Sequence, residues 1–382
     1  MAFRIHFPGR GRGRVRKVML YAMEKLAPFT SVGRLDPDGL IANLLRKGTP
    51  KRVFHMELFQ DYEIEQAIDK RYGVTSGLDP NAPDYGARRG IAMQRFLGYE
   101  GVPCGLLGLD TGEGFNARDT TGDEKNRGNR HWINEATGPI TSWEEFEKYP
   151  WPDGKTWDTT GLEWLEKNVP DDMMIVGRQG HFCEYLCWLM GYETLCVALF
   201  EQRDLVAALA KKILELEETA TRVLLQSKRV RLMFASDDMG FKTGLLISPN
   251  DMREFVLSGH KRLAQITHEA GRPYILHACG KRADIIEDMI SDVKLDALHS
   301  WEDVIEPVIE AKRAYGNRLS LIGGIDLDFL CRATPDEVRK RVRETVAVCQ
   351  PGGGYCLGSG NSVCNYIPLD NYIAMLDEGR RL

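Results

Sequence analysis

No apolar run in this chain approaches the roughly 20 residues that cross a bilayer, and the N-terminus lacks the apolar core of a secretory signal; neither a membrane span nor export is expected. No glycine-rich phosphate loop follows a strand pattern: the GRGRGR of residues 9–14 precedes the first one, so it is not a dinucleotide fingerprint. No Ser/Gly/Pro-rich linker divides the 382 residues. The nine cysteines are odd in number and irregularly spaced, which argues against a disulfide framework and for a reducing, cytoplasmic compartment. A strong charge excess is missing too. With 27% charged residues and a formal net charge of −5, the chain has no general attraction for nucleic acid.

What is present is enough apolar material, 43% of residues, for one large domain or two ordinary ones. Residues 1–50 read as a basic arm followed by a helix; Arg4, Arg10, Arg12, Arg14, Arg16 and Lys17 fall among glycines, as suits a subunit contact or docking of an acidic partner. From residue 51 onward, eight short apolar runs alternate with helical patterns: RVFHMEL (52–58), PCGLLGL (103–109), MMIVGR (173–178), RLMFAS (231–236), PYILHA (273–278), LDALHS (295–300), LSLIGG (319–324) and GGYCLGS (353–359). The helices between them carry start signals: Ser142 with Glu145, Thr334 with Glu337 and Pro335, and Ser248-Pro249. Eight strand–helix units predict an α/β fold, a closed (β/α)8 TIM barrel over 51–382, with a doubly wound sheet as the alternative. Residues 110–152 are long for one connection and read as a loop insertion over the barrel mouth.

In a parallel barrel, chemistry sits where strands end. Those ends carry His55 and Glu57; Arg178, Gln179 and His181; Asp237 and Asp238; His277 and Cys279; His299; Asp326; then Asn361 and Cys364. Side chains two apart on a strand share a face, so His277 and Cys279 project together, an imidazole and a thiol suited to zinc. Glu57, His181, Asp237, Asp238 and His299 are candidates for proton transfer. For each carboxylate, a helix cap or an arginine partner is the competing role.

The runs ASDDMGFKTGLLISPNDMREFV, ILHACG, LIGGIDLDFL and GGGYCLGSGNSVCNYIPLDNYIAML, in that order, resemble the uroporphyrinogen decarboxylase superfamily, from about residue 36 to the C-terminus. The resemblance implies a (β/α)8 barrel, in agreement with the strand count. It also implies one of two activities: decarboxylation of a tetrapyrrole, or zinc-dependent methyl transfer with a corrinoid protein. The decarboxylases carry an arginine-rich loop after the first strand, where this chain reads HMELFQDYEIEQ (55–66), acidic and free of arginine. The methyltransferases carry His-x-Cys at the end of the fifth barrel strand, matched by His277-Ala278-Cys279. Their third ligand, a cysteine after a glycine near the last strand, is replaced by Gly360-Asn361, leaving Cys364, Cys356, Glu57 and His299 as candidates for that place.

The expectation is therefore an enzyme: a corrinoid-dependent methyltransferase of the O-demethylase type, with zinc on His277, Cys279 and Cys364. Its donor would be a small methylated molecule, a methoxylated aromatic by resemblance, sandwiched by aromatics such as Phe59, Tyr62, Trp132, Phe182, Tyr185, Trp188 or Trp301. The corrinoid would be carried by a separate protein, since nothing in the chain resembles a corrinoid-binding module. A metal-dependent barrel hydrolase and a decarboxylase-type lyase are the alternatives. Assembly as a homodimer is compatible with the sequence.

Overall fold

The structure, a computed structural model, describes residues 29–31, 33–112, 115–118, 129–132 and 136–382. The basic residues 4–17 lie outside them. Among the described residues there are ten strands: β1 (Phe54–His55), β2 (Gly101–Cys104), β3 (Phe115–Arg118), β4 (Asn129–Trp132), β5 (Met174–Gly177), β6 (Val230–Ser236), β7 (Tyr274–His277), β8 (Ala297–His299), β9 (Ser320–Ile322) and β10 (Tyr355–Leu357). Eight form one parallel sheet in the order β1-β10-β9-β8-β7-β6-β5-β2, the curled sheet of a (β/α)8 TIM barrel. β3 and β4 pair antiparallel, Phe115 opposite Trp132, as a hairpin within the 110–152 segment.

Strand parity organises the barrel. Inward positions Phe54, Met56, Met174, Val176, Leu232, Phe234, Ile275, Ala297, Ile322 and Cys356 form one interior cluster, which the helix Pro37–Leu44 closes at the floor with Leu40 and Leu44. The alternate positions, among them Ile175, Met233, Ala235, Tyr274, Leu276, Leu298 and Leu321, belong to a second layer packed under the helices. Each fully buried Leu, Ile or Phe contributes about 1.5–3 kcal/mol to this arrangement, and a one-residue slip of any strand would exchange its two faces.

The helix starts are made as their sequences predict. Thr334 forms a complete capping box with Glu337 at the head of Pro335–Cys349. The hydroxyl of Ser248 accepts the N–H of Asp251, and that of Ser142 accepts the N–H of Glu145. The long helix is Arg203–Gln226.

All eight expected strands are present, with one displaced. β2 covers 101–104 rather than 103–109, because its partner β5 ends at Gly177 and the N–H groups of Leu106 and Leu107 turn to the side-chain oxygen of Gln179 instead of a ladder. Among the described residues, no ladder joins β1 to β2. Pro103, with no N–H to offer, lies on that unpaired edge of β2.

Candidate functional site

The inward parity of the strands continues past their ends, and it decides which side chains meet at the mouth. On β7 the series Ile275, His277, Cys279 brings imidazole and thiol onto one line. On β6 the series Leu232, Phe234, Ser236 continues to Asp238, on β8 Ala297 leads to His299, and on β5 Val176 leads to Arg178. Donor atoms of Asp238, His277 and Cys279 lie within 4.8 Å of one another. His277 Nε2 is 3.1 Å from Cys279 Sγ and 3.3 Å from Asp238 Oδ1. Ligands on a tetrahedral zinc with ordinary bond lengths sit about 3.4–3.7 Å apart, so the two contacts of His277 would open slightly around an ion held by all three. The donor set, one N, one S and one O, fits a divalent metal with an open position.

Burial is the main influence on these groups. It lowers the pKa of His277 despite the charge of Asp238, leaving a neutral ring with a lone pair for a metal. It pushes the Cys279 thiol well up, helped by Asp238, so that without a metal the sulfur keeps its proton. Burial also opposes the charge on Asp238, but hydrogen bonding and charge from His277, with contacts from Cys279, outweigh it and hold the carboxyl below its ordinary range. Asn361 stands where the resemblance places a cysteine, and its amide Nδ2 donates to Cys279 Sγ at 2.9 Å. Behind the cluster, the Nδ1 atoms of His277 and His299 are 2.7 Å apart.

The other expected residues are distributed differently. Asp237 points outward: one oxygen accepts N–H groups from Phe182 and Cys183 and lies 2.8 Å from His260 Nε2, while the other accepts from Glu184 N. It holds the start of the helix Cys183–Met190, the capping role weighed against catalysis. His181 pairs with Glu184 at 2.7 Å beside Tyr185 and Trp188. Burial works against the charge on His181, but Glu184, with Glu217 and Asp237 behind it, raises the pKa to about 9. Glu57 is buried against β10, its two oxygens accepting from Ser359 N and Ser359 Oγ at 2.6 Å each; burial raises it to about 8, against those hydrogen bonds.

Neither expected cysteine of the C-terminal region joins the cluster. Cys364 Sγ is 3.5 Å from Ser362 Oγ, and Cys356 is fully buried in the barrel interior. Asp326 caps the helix Leu327–Arg332. Of the aromatics, Phe59 and Tyr62 are exposed, whereas Phe182, Tyr185 and Trp301 are buried; the Trp132 side chain lies outside the described ones.

Asp238, the oxygen donor of the cluster, was expected as a proton-transfer residue rather than as a neighbour of His277 and Cys279 in a candidate metal site. The period-2 count from Leu232 carries the signal that separates it from Asp237. Glu217, which accepts from Gln179, Gly180 and His181, and Ser359 were not singled out at all, since each meets its partners across long stretches of chain.

A family description, Uroporphyrinogen decarboxylase (URO-D), matches residues 135–382. The methylated-thiol–coenzyme M methyltransferase of Methanosarcina mazei is 35% identical over 127 residues, which are 33% of this chain and 32% of that protein; the match thus spans about a third of the relative's length. The solved structure of a methyltransferase from Methanosarcina mazei superposes with a TM-score of 0.63 at 18% identity, covering 90% of this chain and 97% of the other, a likeness of fold. With well over half its length matched and the barrel in place, the chain belongs to the uroporphyrinogen decarboxylase family.

Proposed function

We propose that the protein is a metal-assisted methyltransferase, taking a methyl group from a small methylated donor, a methoxylated aromatic, and passing it to a corrinoid carried by a separate protein. The carrying observation is the cluster of Asp238, His277 and Cys279 at the ends of two adjacent strands. The similarity to a protein named as a methyltransferase supports the same reading. The loop after the first strand, residues 55–66, carries no arginine to grip a polycarboxylate, which favours methyl transfer over tetrapyrrole decarboxylation.

A divalent metal such as zinc, held by those three side chains, would supply Lewis acidity toward the donor's heteroatom. This chain's own residues would do the rest. In demethylation of an ether the C–O bond breaks, the methyl passes to the acceptor, and the oxygen takes a proton. Glu57, protonated at neutral pH, is a group that can hold that proton at the mouth. His277 would be oriented by His299, and Asn361 would hold the Cys279 sulfur by hydrogen bonding. Corrin face and donor must come within about 3–3.5 Å of reacting distance, so the mouth would open to the partner beside the 110–152 segment. We place the protein in the cytoplasm.

Metal analysis of the purified protein, followed by a methyl-transfer assay with a reduced corrinoid protein, tests the reading. Stoichiometric zinc with corrinoid-dependent demethylation supports it. Demethylation at full rate without any corrinoid would replace it by the hydrolase alternative.

A further inference from the structure

The unpaired seam between β1 and β2 opens into a cavity of about 160 Å3 inside the barrel. That is close to the engineered cavity of about 150 Å3 that takes up benzene. Its walls are largely apolar, with Leu40 at the floor and Met56, Pro103, Met174, Val176 and Phe234 around it. Phe234 borders the cavity on the side of the Asp238, His277 and Cys279 cluster: its ring meets that of His299 edge-on, centroids 6.2 Å apart, and His299 touches His277.

One cation enters this space. Arg178 follows β5 on the inward parity, lies with its guanidinium 4.1 Å over the Phe234 ring, and donates to the carbonyl of Leu58 at 2.6 Å. Among the described residues no carboxylate forms an ion pair with it. The acids that line the same cavity are already engaged. Glu65 pairs with Arg89 at 2.7 Å, and Glu100 is held by Arg52 and by the N–H of Asp36. Glu57 keeps its proton at neutral pH, raised to about 8 by burial, and burial holds His55 neutral, lowered to about 3. Arg178 is itself lowered only to about 10, again by burial, and stays charged. The lining thus carries one uncompensated positive charge. Held only by one carbonyl and the face of one ring, the guanidinium keeps N–H donors free for an anion.

We propose that the cavity at the β1/β2 seam is the donor pocket, and that Arg178 binds a carboxylate on a donor with a single-ring-sized apolar body. This rests on the methyl-transfer reading for the word donor, while the binding site stands on its own geometry. The planar guanidinium matches a carboxylate with two parallel hydrogen bonds, and Phe234 beneath it fixes the plane. The ligand's ring packs against Met56, Met174 and Val176, so size and charge are selected by different walls.

Equilibrium binding of 4-methoxybenzoate and of neutral 4-methoxybenzyl alcohol to the metal-loaded protein, with no corrinoid present, tests this. The wild type should bind the anion at least ten-fold more tightly. Arg178→Met should reduce that ratio to near one, and Arg178→Lys should keep part of it, since the charge remains while the fork is lost. Equal binding of the two probes by the wild type, no binding of either, or an unchanged ratio in Arg178→Met overturns the proposal. The wild-type comparison holds even where a variant fails to fold. Methyl transfer from the alcohol without any anion preference would sink the pocket assignment and leave the methyltransferase reading standing. Anion-selective binding without corrinoid-dependent transfer would do the reverse.

Discussion

The Nδ1 atoms of His277 and His299 lie 2.7 Å apart, so the proton state of each ring is tied to that of the other. Only one of the two nitrogens can carry the hydrogen. If His277 gives its Nε2 lone pair to a metal, its proton sits on Nδ1 and donates to His299, which must then be protonated on Nε2, toward the backbone of Ser359. Burial and the neighbouring His277 hold His299 well below its ordinary pKa, consistent with this neutral role.

His299→Ala should therefore lower zinc affinity by about 10–100-fold, the usual effect of removing the partner that orients a ligating histidine. His299→Asn, which keeps an acceptor, should recover part of the loss. Competition with a coloured chelator measures both. Wild-type affinity in the alanine variant would mean that His277 needs no orienting partner.

Cys279→Ala should lose both metal and methyl transfer. The sulfur is the only soft donor in the cluster, and removing it leaves Asp238 and His277 as a two-ligand site. Elemental analysis of the purified variant reads this directly. Full zinc occupancy would exclude Cys279 as a ligand.

Asp237 and Asp238 are adjacent in sequence and should separate cleanly by experiment. Asp237→Ala strips acceptors from three backbone N–H groups and the partner from buried His260. It should cost about 2–4 kcal/mol of stability while leaving Asp238, His277 and Cys279 in place. Asp238→Ala removes a half-exposed side chain, so stability should change by less than about 1 kcal/mol while metal content falls. Denaturant midpoints and metal content on both variants decide it; equal effects from the two would contradict the parity assignment.

Glu57 sets a pH dependence of stability. Its folded pKa is raised from an ordinary 4.5 to about 8. Between these values the folded protein keeps a proton that the unfolded chain has released, so this group makes stability fall as pH rises through that window. Glu57→Gln removes the effect while keeping an acceptor and a donor for Ser359. The variant should match the wild type near pH 4.5 and gain on it toward pH 8, by at most about 1.4 kcal/mol per pH unit. Melting temperatures across that range check it. A gain that is flat with pH would place the Glu57 pKa near its ordinary value.

Much of the barrel was legible along the chain. The eight strands appear in their expected places except β2, and that exception has a local cause: Gln179 captures the N–H groups of Leu106 and Leu107, which sequence alone could not have shown. His277 and Cys279 were legible for the same reason as the strands, since a two-residue spacing on one strand is a local property of extended backbone. Asp238 obeys the same count from Leu232 and could have been separated from Asp237 by it.

By itself, the sequence determined whatever depends on near neighbours: the alternation of strands and helices, the caps at Thr334 and Ser248, and the shared face of His277 and Cys279. The tertiary structure alone decided whatever depends on residues far apart in the chain. Glu57 meets Ser359 because β1 pairs with β10. Arg178 faces a cavity because, among the described residues, no ladder joins β1 to β2 at the seam. His299 reaches His277 because β8 lies beside β7 in register. Local spacing fixes direction along a strand, whereas distance between strands is set by which neighbours the curled sheet brings together.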